Sequence, residues 1–211
     1  MSDTFVKPPF YYSGPINSYN DSTLGGQLTS MPTGFTQYQQ NVPGDRIILD
    51  DVTASALSNS TTTLYGGIYM YVHVAGTSTA TAASGQIAFF TNASVSATAT
   101  NLYEVTPDAQ ATTTLPAMIA GIFLNAISKG NWGWIQVAGV ANVLFDSSVT
   151  STVLGSLVVA KASASVASTA DNTTVTNPSA AVIAAVIGVS LTTVTTSTLV
   201  KVSITRGIGR I

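Results

Sequence analysis

Cysteine is absent from this chain, which excludes a disulfide framework and any thiolate metal site. Charge is nearly as scarce: 8% of residues are Asp, Glu, Lys or Arg, against about 25% in an ordinary soluble domain. Seven Lys and Arg lie singly along the chain and form no basic patch, so nucleic acid is not an expected partner. One histidine, His73, is all the chain has, and any catalytic triad must pass through it. The uncharged stretch 180–200 starts apolar and then turns hydroxyl-rich, so it does not read as a membrane span. Residues 1–7, Met-Ser-Asp-Thr-Phe-Val-Lys, lack a basic segment followed by an apolar one, and a secretory signal is not expected.

What fills the gap is Ser, Thr, Ala, Val and Gly. Hydrophobic residues still reach 45% with a net charge of −2, a balance that favours folding over disorder. A surface of hydroxyls and small amides carries little repulsion between molecules, so the composition points to life in an assembly.

Three regions are expected. Residues 1–40 form an extended arm: Lys7-Pro-Pro-Phe-Tyr-Tyr-Ser-Gly-Pro15 sets aromatics between prolines, which block helix and central strand alike. Phe5, Pro8, Pro9, Phe10, Tyr11 and Tyr12 are candidate anchors on a partner, since rigid aromatics suit that role. Residues 41–110 read as β-rich, with strands at Arg46–Asp50, Ile68–Val74, Gly85–Phe90 and Asn101–Val105. In Ile68–Val74 the alternation puts Ile68, Met70, Val72 and Val74 on one face and Tyr69, Tyr71 and His73 on the other. Helix signals are weak: β-branched residues dominate, and capped helical patterns with Glu and Lys at i, i+4 spacing are missing.

Residues 111–211 hold an internal repeat. Gly121-Ile-Phe-Leu-Asn-Ala126 followed by Trp132-Gly-Trp-Ile-Gln-Val137 recurs 67 residues later as Gly188-Val-Ser-Leu-Thr-Thr193 followed by Leu199-Val-Lys-Val-Ser-Ile204. Each copy reads as a hairpin, with separate strands at Ala141–Phe145 and Leu157–Ala160 between them. The expected fold is all-β: a small β-barrel, β-tulip or sandwich body behind an extended N-terminal arm, its sheet edges hidden by closure.

Candidate chemistry is thin. His73 lies on a strand beside two tyrosines and reads as a half-buried or interfacial histidine hydrogen-bonded to a neighbour. Asp45, Asp50 and Asp51 read as turn and strand-end carboxylates, because Asp45-Arg-Ile-Ile-Leu-Asp50 offers no ligands between its ends for a hard cation. Glu104 and Asp108 flank Pro107 and read as caps of a turn. Trp132 and Trp134 share one face of a strand with Gln136, while Ile135 and Val137 take the other, so both faces need a cover. For the tryptophan face that cover is the chain itself, a neighbouring subunit or, as an aromatic platform, a sugar. No catalytic residue, cofactor or metal site is expected.

The segment Lys129-Gly-Asn-Trp-Gly-Trp-Ile-Gln-Val-Ala-Gly139, the Ala-Asn-Val strand at 141–143, Gly155-Ser-Leu-Val-Val159 and Ile187-Gly-Val-Ser-Leu191 resemble a pattern in tailed-bacteriophage capsid decoration (cement) proteins. The resemblance covers about residues 115–206. It implies a virion structural protein, made in the host cytoplasm, that binds the outside of an icosahedral shell. Its implied partners are the major capsid protein and itself, as a homotrimer, with Trp132, Trp134 and the arm as contact residues. The other reading is a carbohydrate- or host-binding β module on a virion or cell surface.

Overall fold

The computed structural model describes residues 44–58, 63–78, 81–91, 103–108, 119–147, 149, 152–161, 167–169, 186–193 and 199–204. They form ten strands and one short helix. In chain order these are β1 (Arg46–Leu49), α1 (Asp51–Leu57), β2 (Gly67–Val74), β3 (Ile87–Phe90), β4 (Glu104–Thr106), β5 (Ile119–Phe123), β6 (Trp132–Leu144), β7 (Leu157–Ala160), β8 (Ala167–Thr169), β9 (Val186–Ser190) and β10 (Leu199–Ile204). The all-β expectation holds, and the fold contains a closed barrel.

That barrel has five strands. Its ring runs β2, β4, β3, β5, β6 and back to β2, because β6 pairs with β5 on one side and β2 on the other. All contacts are antiparallel except β2 with β4, where His73 lies opposite Glu104 and Val74 opposite Val105 in parallel register. Closure satisfies the edges that an open sheet would leave bare. The alternation read from Ile68–Val74 carries into three dimensions. Met70, Val72 and Val74 join Ala88, Phe90, Val105, Phe123, Ile135 and Val137 inside the barrel. Tyr69 and Tyr71 face outward, yet they are buried with Ile47, Leu49, Ala54, Leu64, Leu124 and Trp134 under the layer made by β1 and α1.

The expected barrel was to come from two hairpins within 111–211. Instead it draws β2, β3 and β4 from before residue 110 and β5 and β6 from after it. Strands at 132–137 and 141–145 were expected as separate elements, but Trp132–Leu144 is one strand of 13 residues. A bulge opposite Ile68 and Tyr69 and a positive φ of 96° at Gly139 let it bend without breaking. Its first half closes the barrel and its second half leads the sheet onward to β10, β9, β7 and β8.

The two hairpins are structural equivalents. Ile122 lies opposite Gln136 and Phe123 opposite Ile135; 67 residues on, Val189 lies opposite Ser203 and Ser190 opposite Val202. The correspondence runs further than the sequence repeat. β3 pairs with β5 through Ile87–Ile122 and Ala88–Gly121 and then bulges; β7 pairs with β9 through Leu157–Val189 and Val158–Gly188 and bulges at the same step. β8 lies on β7 as β4 lies on β3. The second half of β6 lies on β10 as β2 lies on the first half of β6, with Ala141 opposite Val202 where Met70 meets Ile135. The body is therefore built of two related five-strand units sharing β6, which ends the first and starts the second; β4 pairs with β2 to close the first, whereas among the described residues β8 pairs with β7 alone. Between them lies a core of Ile87, Phe89, Ile119 and Ile122 from the first unit against Val143, Val158, Ile187, Val200 and Val202 from the second. Burying each such side chain stabilises the fold by about 1.5–3 kcal/mol, which makes the two units one body.

Candidate functional site

Asp50 and Asp51 illustrate how the chain uses its few charges. Asp50 is the N-cap of α1, an element the sequence reading missed: its Oδ1 accepts from the Thr53 N–H at 2.7 Å. That hydrogen bond holds the Asp50 carboxyl below the usual carboxylate range. Asp51 Oδ1 accepts from the Gly66 N–H at 2.8 Å and ties the helix to the start of β2. The signal was present in Asp50-Asp-Val-Thr-Ala-Ser-Ala-Leu57, a cap residue ahead of a run that tolerates helix, but at seven residues the helix is too short for periodicity to show it. Among the described residues, no three His, Cys, Asp or Glu side chains converge on a possible metal position.

His73 is half-buried and bonded, as its strand position suggested. Its Nδ1 lies 3.2 Å from Glu104 Oε2, and Thr91 Oγ1 donates to Glu104 Oε1 at 3.1 Å. Glu104, expected in the strand 101–105 and as a turn cap, does lie on a strand, β4, but parallel pairing places it opposite His73. Only the tertiary pairing could reveal this, since 31 residues separate the two. The pair spans the one parallel seam of the barrel and works as its clasp. Asp108 does sit at a turn, its N–H donating to Thr106 Oγ1 at 3.0 Å.

Trp134 is buried in the outer layer, edge-on to Tyr71 with ring centroids 5.2 Å apart. Trp132, one residue pair along, is half-buried and tilted over His73 at 4.9 Å. Both therefore lie on the face the sequence assigned to them, and β1, α1 and β2 supply most of the cover. With Trp134 inside, the two rings do not form an exposed platform. The other anchors named from the sequence, Phe5, Pro8, Pro9, Phe10, Tyr11 and Tyr12, lie outside the described residues.

A cavity of about 210 Å³ lies at the junction of the two units, lined by residues such as Thr63, Ser84, Gln136, Asn142 and Leu199. Among the described residues that line it, none is ionisable. Gln136, which is fully buried, donates to the carbonyls of Val140 (2.8 Å) and Ala138 (3.3 Å) and so braces the bend in β6. Among the described residues no helix is long and apolar enough to cross a membrane.

No protein-family model matches the chain, and no curated protein matches it. Among solved structures it is similar to the head fiber gp8.5 N base in bacteriophage phi29. The identity is 10% over 67% of this chain and 98% of that one, with a TM-score of 0.41, a likeness too slight to assign a fold or a function.

Proposed function

We propose that this chain is a structural protein of a bacteriophage virion that binds the outside of the capsid and bridges its major subunits. The observation that carries the reading is how the described polar side chains are spent. His73 and Glu104 clasp the barrel seam, Asp50 caps α1, Asp51 pins it to β2, Lys161 pairs with Asp146 at 2.8 Å, and Lys201 sits 4.6 Å from the Tyr65 ring centroid. Among the described residues, groups that could do acid–base work brace the fold instead, which supports a chain that acts by packing and not by chemistry. The motif around Trp132 and Trp134, which resembles that of decoration proteins, supports the same reading, as does the low charge of the whole chain.

The mechanism is mechanical. A closed barrel packed against a second, related sheet unit makes one firm body, and such a body spanning two subunits resists their separation. Repetition over many equivalent sites lets weak individual contacts hold, more so if the chain is a homotrimer. The arm at residues 1–16 is the adhesive element, able to lie on or extend strands of the lattice. The test is binding of purified chain to expanded capsids, with and without residues 1–16, followed by sedimentation. Full-length chain should co-sediment and the truncated one should not, while its circular dichroism stays unchanged. Co-sedimentation of the truncated chain overturns the role of the arm; failure of both to bind overturns the capsid reading.

A further inference from the structure

The outer faces of the two units are built from equivalent positions and filled in opposite ways. In the first unit Tyr71 lies opposite Trp134, one step beyond the Met70–Ile135 pair. The same step beyond Ala141–Val202 brings Asn142 opposite Lys201 in the second. Leu199 likewise opens β10 where Trp132 opens β6. Tyr71 and Trp134 are buried ring edge to ring face beneath β1 and α1. In the second unit Asn142 is half-buried, Leu199 is exposed, and Lys201 is held over the Tyr65 ring.

Where the first unit is packed with aromatic rings, the second leaves the cavity of about 210 Å³, with Asn142 and Leu199 in its lining. At about 30 Å³ of liquid volume per water, that space takes about seven waters or one small molecule. Thr63 and Ser84 of the lining are exposed, so the cavity is open to solvent. Gln136, in the same lining, is 1% exposed.

The polar groups of this lining are only partly used. Gln136 Nε2 donates to the Val140 and Ala138 carbonyls, but among the described residues nothing donates to its Oε1. A buried amide oxygen without a donor is costly and calls for a partner. The Asn142 amide and the Thr63 hydroxyl likewise have no hydrogen-bond partner among the described residues. Ser84 Oγ donates to the Leu124 carbonyl at 2.9 Å and can still accept. An amide thus stands where the equivalent position of the first unit packs a tyrosine, and it faces a space instead of a ring.

We propose that this cavity binds a neutral sugar, one pyranose ring of a glycan. The chemistry matches on both sides. Gln136 Oε1 accepts, the Asn142 amide donates and accepts, and the Thr63 hydroxyl does either, which is what a row of sugar hydroxyls needs. Leu124 and Leu199 supply apolar lining for the C–H faces of the ring. A charged ligand would lose hydration and meet no opposite charge in the lining, since Lys201 is engaged with Tyr65. A wholly apolar ligand would leave the amides and the hydroxyl unmet. The site is distinct from Trp132 and Trp134, which lie on the outer face of the first unit and do not line it. The inference does not rest on the capsid reading and can be tested without a capsid.

The test is saturation-transfer NMR of the full chain with glucose, galactose, mannose and N-acetylglucosamine as probes, and glucuronate as the charged comparison. At least one neutral sugar should bind saturably, with a Kd on the order of 1 mM for so small a ligand. Asn142→Leu removes the amide and fills its space, and should weaken that binding about tenfold or more; Thr63→Val should weaken it about threefold. Gln136 is left in place because it braces the bend in β6. Four results overturn the proposal. The first is no saturable signal from any neutral sugar up to about ten times that Kd. The second is glucuronate binding as tightly as the best neutral sugar. The third is binding like wild type by variants whose melting curves are unchanged. The fourth is a signal lost in Trp132→Ala and kept in Asn142→Leu, which would put the sugar on the tryptophan. Thr63 is exposed, so Thr63→Val keeps the fold and decides the matter if Asn142→Leu melts early.

Discussion

Replacing Gly121 or Gly188 with alanine tests the duplicated architecture at its tightest point. The two glycines hold the same place in the two units, and each faces the backbone of the hairpin partner. A Cβ on Gly121 would lie 2.5 Å from the Gln136 carbonyl oxygen and 3.1 Å from Ile135 Cδ1; on Gly188 it would lie 2.0 Å from the Ser203 carbonyl oxygen. In both, the nearest obstacle is a backbone carbonyl oxygen, which cannot swing away as a side-chain end can, so the strands must part. Overpacking of this kind costs about 1–3 kcal/mol, and a backbone obstacle puts both sites in the upper half of that span. At roughly 2–4 °C per kcal/mol for a chain of this size, each variant should melt some 5–10 °C below wild type. Thermal melts by circular dichroism, paired with urea titrations, read the change. Gly76→Ala is the control, since a Cβ there meets nothing within 4 Å, and it should fall within about 0.5 kcal/mol of wild type. If Gly121→Ala and Gly188→Ala melt with wild type, the close strand approach in both hairpins is wrong and the shared register falls with it.

Trp134→Ala should cost about 3–5 kcal/mol in a urea titration, because the ring is buried against Tyr71, and Trp132→Ala distinctly less because that ring is half-exposed; equal losses would refute this placement. Asp50 is held below the ordinary carboxylate range by Thr53, so its contribution is present above that range and is lost as pH falls through the depressed value. The melting gap between wild type and Asp50→Ala should therefore close in acid; a gap unchanged down to the acid limit would count against the cap. Burial pushes the Tyr69 phenol up, while its hydroxyl donates to the Tyr65 carbonyl. That group adds stability that is full below the free phenol's range and is lost as pH rises through the raised value. Tyrosinate absorbance of the native protein should show a late-titrating phenol that is missing from Tyr69→Phe, and the variant should lose about 1 kcal/mol at neutral pH.

The sequence alone determined what depends on local pattern. Alternation along Ile68–Val74 assigned each side chain its face, because a strand's period of two leaves one choice once one face is apolar. The spacing of Gly121 and Gly188 ahead of their second strands disclosed the repeated hairpin, since both glycines answer to the same steric demand. Scarce charge and a lone histidine set the expectation of packing over chemistry.

Tertiary structure decided everything that depends on which strand finds which. No local signal marks His73 and Glu104 as partners across a parallel seam, and none tells β6 to run through Gly139 unbroken and serve two units. α1 is too short for its period to register. The repeat, legible over two hairpins, extends to whole five-strand units only when pairing registers are compared, because β2 and the second half of β6 share a role without sharing a sequence. The composition marked the chain as one that packs; the fold located that packing in two related units sharing β6, with most of the two-tryptophan face turned inward.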